Sequence, residues 1–266
     1  MIDQPDLTDP VITNPWGMLR RLTPARVALG RAGGSLPTRP QLDFQLAHAR
    51  ARDAVLLPLD FSALGAELAA NGMASLNLES AASDRASYLR RPDQGRRLST
   101  TSLARLAHHR GRFDLAVVVV DGLSSLAISS HVVPMLLALQ PLVEQAGWQV
   151  APLALVANGR VAVGDQVALA LGARMAMVLI GERPGLSSPD SLGIYLTYNP
   201  QPDTADSGRN CLSNIHANGM SYTQAAMRCD YLLREALRRG LTGVDLKDDS
   251  DPDVGVVGAN FLLPGR

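Results

Sequence analysis

Cysteine and lysine are nearly absent from this chain of 266 residues. Cys211 and Cys229 are too few for a disulfide framework, and no C-x-x-C pair is present. A reducing, cytoplasmic setting is therefore the expectation. Lys247 is the only lysine among 25 basic residues, a bias that points to GC-rich coding more than to chemistry. Acidic residues also number 25, so the formal net charge is zero, and no basic block stands apart. Non-specific nucleic-acid binding is not favoured by that balance. The first fifteen residues, MIDQPDLTDPVITNP, are acidic and contain proline, the reverse of a secretory leader. No window approaches 18 uninterrupted apolar residues, so a membrane span is not expected. Two nucleotide signatures are missing as well. No G-x-G-x-x-G follows a strand and no G-x-x-x-x-G-K-[ST] occurs, which leaves nicotinamide and P-loop sites unsupported.

What is present is a hydrophobic content of 46%, enough for a sizeable core. Its most informative stretch is DLAVVVVDGLSS, residues 114–125. A valine run without polar alternation has both faces covered, as in a parallel sheet flanked by helices. The Asp121-Gly122 break then opens a crossover helix. A second run, MAMVLIGERPG at 175–185, also ends in glycine beside a charged residue. Ligands of open α/β sheets bind outside the carboxyl ends of such strands. Strands are expected at 115–120, 148–156, 175–180 and 191–198. Helices are expected at 131–146, with Pro134 in the first turn, at 165–171 and at 220–239, capped by Ser221 and stopped by Gly240. Ahead of them, residues 1–15 read as a flexible tail and 16–110 as a helical N-terminal region. That region holds a helix opened by Thr23-Pro24, an amphipathic helix over 38–56, shorter ones at 61–68 and 99–109, and a loop at 87–95. The fold class that follows is α/β: a Rossmann-like parallel-sheet domain, 111–266, with helices on both faces.

Four features are candidate sites, and each has a plain structural alternative. The GRAGGS run at 30–35 follows a helix and not a strand, which suits a helix-ending turn. The five histidines (His48, His108, His109, His131 and His216) share no H-x-x-x-H spacing, so surface or packing roles are expected of most. In GERPG, 181–185, Glu182 sits between glycine and arginine at a strand end. It can be half of a local ion pair, or it can accept hydrogen bonds from a ligand. In CLSNIH, 211–216, Cys211 fits a small apolar packing role. A nucleophilic role would need an activating neighbour, and His216 need not face it.

Five runs in order resemble the small subunit of ethanolamine ammonia-lyase. They are ARVALGRAGGSLPTRPQLDFQLAHARARDAV (25–55), DLAVVVVDGLSS (114–125), GRVAVGDQ (159–166), ARMAMVLIGERPGLSSPDSLGIYLTYNP (173–200) and CLSNIHANGMSY (211–222). The resemblance implies a Rossmann-like domain that binds adenosylcobalamin together with a large TIM-barrel subunit, the large subunit holding the substrate. Carried over by position, the corrinoid contacts fall on Val161, Glu182 and Cys211. No catalytic acid, base or metal ligand is implied in this chain. The cofactor's own benzimidazole is expected to stay on cobalt, in keeping with the missing D-x-H-x-x-G run. The implied reaction is radical deamination of ethanolamine to acetaldehyde and ammonia, with the hard step carried by the cofactor. The implied setting is the cytoplasm, free or inside a bacterial microcompartment. The arginines between residues 16 and 56 are expected to take part in contact with the large subunit or to form a solvated face. Two readings compete with the resemblance: a stand-alone Rossmann-like enzyme acting on a nucleotide or sugar phosphate, and a non-catalytic adaptor that docks an acidic partner.

Overall fold

The computed structural model describes residues 10–250. The expected tail, 1–15, lies outside the described residues as far as residue 9, and the expected 111–266 domain does so from 251 onward. At its described end, Ile12 forms an antiparallel bridge with Arg31. The elements in chain order are α1 (Thr38–Leu56), α2 (Phe61–Ala70), β1 (Ser75–Glu79), α3 (Arg85–Arg90), α4 (Pro92–Gly95), α5 (Thr100–Ala107), β2 (Phe113–Val120), α6 (Ser125–Ala146), β3 (Leu153–Ala157), α7 (Val163–Leu171), β4 (Ala173–Gly181), β5 (Leu192–Tyr198), β6 (Asn210–Ile215) and α8 (Tyr222–Arg239).

The six strands form one sheet in the order β1-β3-β2-β4-β5-β6. The first four are parallel, with Val120 of β2 aligned to Val156 of β3 and Ile180 of β4. β5 and β6 run antiparallel to their neighbours, so the all-parallel sheet expected from the sequence is corrected to a mixed one. The reason is the short connection after Gly181: ten residues hold no helix, and without a crossover the chain must turn back.

The valine run shows how the core is divided. Strand side chains alternate faces, so Leu115, Val117 and Val119 join one apolar cluster with α6, α8 and α2. Ala116, Val118 and Val120 join the other, with Leu106 of α5 and Val163, Val167 and Leu171 of α7. Burying each such side chain is worth about 1.5–3 kcal/mol. The two faces are not covered equally. Leu192, Ile194, Leu196, Leu212 and Ile215 of β5 and β6 belong to the α6/α8 cluster. On the opposite face the buried cluster ends at β4, and β5 contributes only the partly buried Tyr195.

Several local expectations needed revision. No helix starts at Thr23-Pro24: a 3-10 helix covers Pro15–Arg21, and Thr23 Oγ1 instead accepts the Ala25 N–H at 3.2 Å in a tight turn. The region 16–110 is not wholly helical, because β1 lies in it and pairs with β3 at the sheet edge. The expected loop at 87–95 is the short pair α3 and α4, with Asp84 capping α3 by accepting the Ser87 N–H at 2.7 Å. Helix α6 begins six residues before the expected start, capped by Ser124, so Pro134 and Pro141 are interior. A proline in the interior of a helix costs about 3 kcal/mol, which burial of Ile128, Val132, Met135 and Leu136 outweighs here. By length and composition alone α6 could cross a membrane, yet it lies against the sheet and α8. Strand β3 starts after Pro152, which has no N–H for the ladder, and not at Trp148.

Candidate functional site

The carboxyl ends of β2, β3 and β4 meet with almost no side chain between them. Gly122 follows β2 at φ +58°, and a Cβ there would run into the Gly181 carbonyl oxygen. A Cβ on Gly181 would run into the Ser124 and Asp121 carbonyl oxygens. The Leu123 N–H donates to the Gly181 carbonyl at 2.9 Å across this contact. Only glycine fits such an approach. At β3, Gly159 lets Arg160 turn back, and the Arg160 N–H donates to the Gly95 carbonyl at 2.7 Å.

Beside these ends lies a cavity of about 570 Å³. It opens on the sheet face that α7 leaves uncovered at β5 and β6. Its walls come from Val161 and Arg160 before α7, Glu182 and Arg183 after β4, Tyr195 of β5, Arg209 before β6, and Tyr88 of α3. Tyr88 is fully buried and held between two guanidinium groups, Arg160 at 4.2 Å and Arg85 at 4.8 Å from the ring centre. Burial pushes the Tyr88 phenol up to about 12, against the pull of Arg160. Arg85 Nη1 also lies 3.6 Å from Asp121, whose carboxyl is raised by burial while Arg85 and nearby backbone amides oppose the shift.

Glu182 is fixed on three sides. Its own N–H donates to the Ser191 carbonyl at 2.9 Å. Its Oε2 accepts the Ser191 hydroxyl and, at 3.3 Å, the Asn214 N–H. The carboxylate lies over Gly193, where a Cβ would stand 2.9 Å from Oε1. No protein donor is bonded to Oε1 among the described residues, so that oxygen can accept a bond from a ligand. The loop carrying Glu182 is pinned as well: Ser124 donates to the Pro189 carbonyl at 2.7 Å, and His131 Nε2 lies 3.3 Å from Asp190. His131 is buried and also bonds the Tyr222 hydroxyl at 2.7 Å, and the buried His216 meets Asn214 at 2.8 Å. His48, His108 and His109 are exposed.

The structure therefore brings Val161 and Glu182 to one cavity. Cys211 stands one strand further out, in register with the lining residue Tyr195. It is exposed on the edge strand. Its thiol pKa is nevertheless raised, chiefly by burial of the sulfur and further by Glu182, while a hydrogen bond with Tyr195 opposes this. Such a thiol is a poor nucleophile at neutral pH. His216 bonds Asn214 and Ser188, and no hydrogen bond joins it to Cys211 among the described residues.

Sequence reasoning missed Tyr88, Arg160, Tyr195 and the pair Asp165–Arg209. Arg209 donates through Nη1 and Nη2 to both oxygens of Asp165 at 2.6 Å, and the two side chains are 1% and 4% exposed. A carboxylate on an apolar helix and an arginine 44 residues later carry no spacing signal that would join them. Arg160 stood within a run already singled out, next to Val161, and was the one that could have been found.

The family described as ethanolamine ammonia-lyase light chain matches residues 13–247. The ethanolamine ammonia-lyase small subunit of Pseudomonas fluorescens Pf-5 is 57% identical over 261 residues, 94% of this chain and 95% of that protein. The small subunit of Ralstonia nicotianae GMI1000 is 55% identical over 269 residues, 99% and 100% of the two chains. That of Pseudomonas aeruginosa PAO1 is 55% identical over 249 residues, 92% and 91%. With the match running through every element from the Pro15–Arg21 turn to α8, this chain belongs to the family of ethanolamine ammonia-lyase small subunits.

Proposed function

We propose that this chain supplies half of a corrinoid site, closed by the large subunit, for the adenosylcobalamin-dependent deamination of ethanolamine to acetaldehyde and ammonia. One observation carries the reading: Val161, Glu182 and Tyr195 line one wide cavity over the uncovered face of β5 and β6, with Cys211 beside Tyr195 on the next strand. The residues suit a corrin, which is broad, largely apolar on its faces and ringed by amides. Val161 and Tyr195 offer apolar packing, and Glu182 Oε1 offers an open acceptor for an amide N–H or a ribose hydroxyl. When bound, adenosylcobalamin supplies the radical chemistry. The work of this chain is to hold and orient the cofactor and to keep water from one side of it. Ser191 and Asn214 hold Glu182, Gly181 and Gly122 let the backbone close up beneath it, and no proton transfer is asked of the chain.

The parallel part of the sheet, β1 to β4, supports a Rossmann-like reading of the fold, and the large subunit is proposed to be a TIM barrel. Exposed apolar side chains at the N-terminal side, Trp16, Met18, Leu22, Leu42 and Leu46, together with the arginines around them, favour contact with that partner over a purely solvated face. The assembly is proposed to work in the cytoplasm, free or within a microcompartment.

Glu182→Ala tests the site. In the complex with the large subunit it should weaken adenosylcobalamin binding on the order of tenfold to a hundredfold, the equivalent of roughly 1.5–3 kcal/mol for hydrogen bonds to a charged group. The KM for ethanolamine at saturating cofactor should stay within about twofold, since that is small against a lost hydrogen bond. A raised KM with unchanged cofactor affinity would refute the assignment.

A further inference from the structure

Strand β6 carries an irregularity that pairing with β5 does not require. Leu212 pairs with Ile194 and Ile215 with Leu192, so Ser213 and Asn214 together oppose the single residue Gly193. Such a bulge re-aims the groups at its tip. Asn214 sits there at φ +64°, the left-handed region that asparagine enters more readily than most residues. Its N–H donates to Glu182 Oε2 at 3.3 Å, and its carbonyl accepts the Met220 N–H at 2.8 Å. Glu182 in turn lies over Gly193, the residue that the bulge faces.

His216, two residues further on and buried, holds the bulge from behind. The Asn218 N–H meets its Nδ1 at 3.3 Å. A backbone N–H can only donate, so Nδ1 is the bare nitrogen and the ring hydrogen sits on Nε2. Nε2 then donates to Asn214 Oδ1 at 2.8 Å, and the Ser188 hydroxyl, on the loop that follows Glu182, lies 3.3 Å from the same nitrogen. The contact leaves no spare room, because a Cβ on Gly219 would run into the Asn214 carbonyl oxygen and His216 Nε2. The two ring nitrogens thus have separate tasks: Nδ1 closes the turn to Asn218, and Nε2 sets the residue whose backbone fixes the carboxylate.

We infer that His216 is a positioning residue: through Nε2 and the Asn214 bulge it locks Glu182 Oε2 in place and leaves Oε1 as the open acceptor. His216 is not part of the cavity wall, so its effect there passes through its neighbours. The consequence for binding rests on the cofactor reading above, whereas the positioning of the carboxylate does not.

The two nitrogens can be replaced one at a time. In His216→Gln the side-chain amide occupies the place of Nε2 and can still donate to Asn214. In His216→Asn the shorter amide stands where Nδ1 stood, so it can accept the Asn218 N–H and cannot reach Asn214. Adenosylcobalamin affinity is measured by equilibrium dialysis on the complex of this chain with its large subunit. It should fall about tenfold in His216→Asn, the loss expected for one hydrogen bond to a charged group, and His216→Gln should recover most of it. In a Glu182→Ala background His216→Asn should cost nothing more, since residues that act through one another are not additive. Asn214→Gly suits the left-handed backbone and removes only the acceptor of the Nε2 bond. It should show the same loss and the same dependence on Glu182, and it carries the test if His216→Asn does not fold. Nuclear magnetic resonance of the nitrogen-15-labelled full chain reads the contact without a ligand. The Asn214 amide proton should move upfield in Glu182→Ala, move the same way in His216→Asn, and return toward its wild-type position in His216→Gln. Equal losses with and without Glu182, equal losses for glutamine and asparagine, or an Asn214 amide that ignores His216 would make this histidine a packing residue and overturn the inference. If Glu182→Ala leaves cofactor affinity unchanged, the cofactor reading falls, and the amide shift alone decides whether His216 positions Glu182.

Discussion

Replacing Asp165 by asparagine should cost this chain more stability than any change in its outer loops. The carboxylate lies on the first turn of α7 and is 4% exposed, facing an arginine that is 1% exposed. Both oxygens take a 2.6 Å bond from Arg209, whose remaining donors reach Thr197 Oγ1 at 3.0 Å and the Thr204 carbonyl at 2.9 Å. Asparagine keeps the shape and removes the charge, so the one carboxylate left to Arg209 among the described residues is Asp206, 3.6 Å away and largely in solvent. Breaking a buried pair from one side typically costs about 3–5 kcal/mol. At roughly 2–4 °C per kcal/mol for a chain of this size, Tm should fall on the order of 10 °C. The complementary variant is Asp165→Leu with Arg209→Met, which removes both charges and fills the space. It should recover most of the loss, because neither charge is then left buried alone. Thermal and denaturant unfolding of the wild type, Asp165→Leu, Arg209→Met and the double variant closes the double-mutant cycle. A loss below about 1 kcal/mol for Asp165→Asn would show that the pair behaves as a surface ion pair. A double variant as unstable as the sum of the singles would refute the account of why the pair matters.

Two further outcomes follow from the same geometry. Gly181→Ala places a methyl group against the Ser124 and Asp121 carbonyl oxygens, so it should unfold at lower temperature and bind cofactor weakly even when folded, as calorimetry and dialysis would show; wild-type behaviour in both would remove the close approach of β2 and β4 from the argument. Tyr88 has its folded pKa raised from 10.0 to about 12, so its contribution to stability is complete below pH 10 and is lost as pH rises through about 12. The ultraviolet titration of wild type minus Tyr88→Phe should show one phenol ionising near 12, and a step near 10 would place that side chain in water.

Much of the parallel half was legible because its signals are local. A valine run states its own burial on both faces, and Ser221 with Gly240 brackets α8 as a capping residue and a left-handed stop should. The antiparallel half was harder. Residues 210–215 alternate apolar and polar residues only imperfectly and form a strand because β5 offers them an edge, which no window of six residues can announce. The same holds within the cavity. Glu182 sits in a conspicuous glycine-flanked turn, whereas Tyr88 reaches the site from a pair of short helices that read as a loop. Val161 was placed through resemblance and its neighbour Arg160 was overlooked, because a contact inferred from family position stops at the residue named and does not weigh the charge beside it.

Strand β6 is the last in the sheet, with Cys211, Ser213 and Asn214 exposed, and among the described residues its outer edge has no strand beside it, only the bridge of Met220 at Ile215. Such a margin is a template for another strand, including β6 of a second copy. On the function proposed above, this corner with its one bare side is also where the cofactor would bind, so a second copy pairing at β6 would stand in the way of that assembly. Self-association and assembly would then compete for one surface, with opposite dependence on concentration: crowding of this chain alone would favour the first, an excess of the large subunit the second. The yield of working enzyme would then turn on the timing of two gene products, at the rim of a six-residue strand.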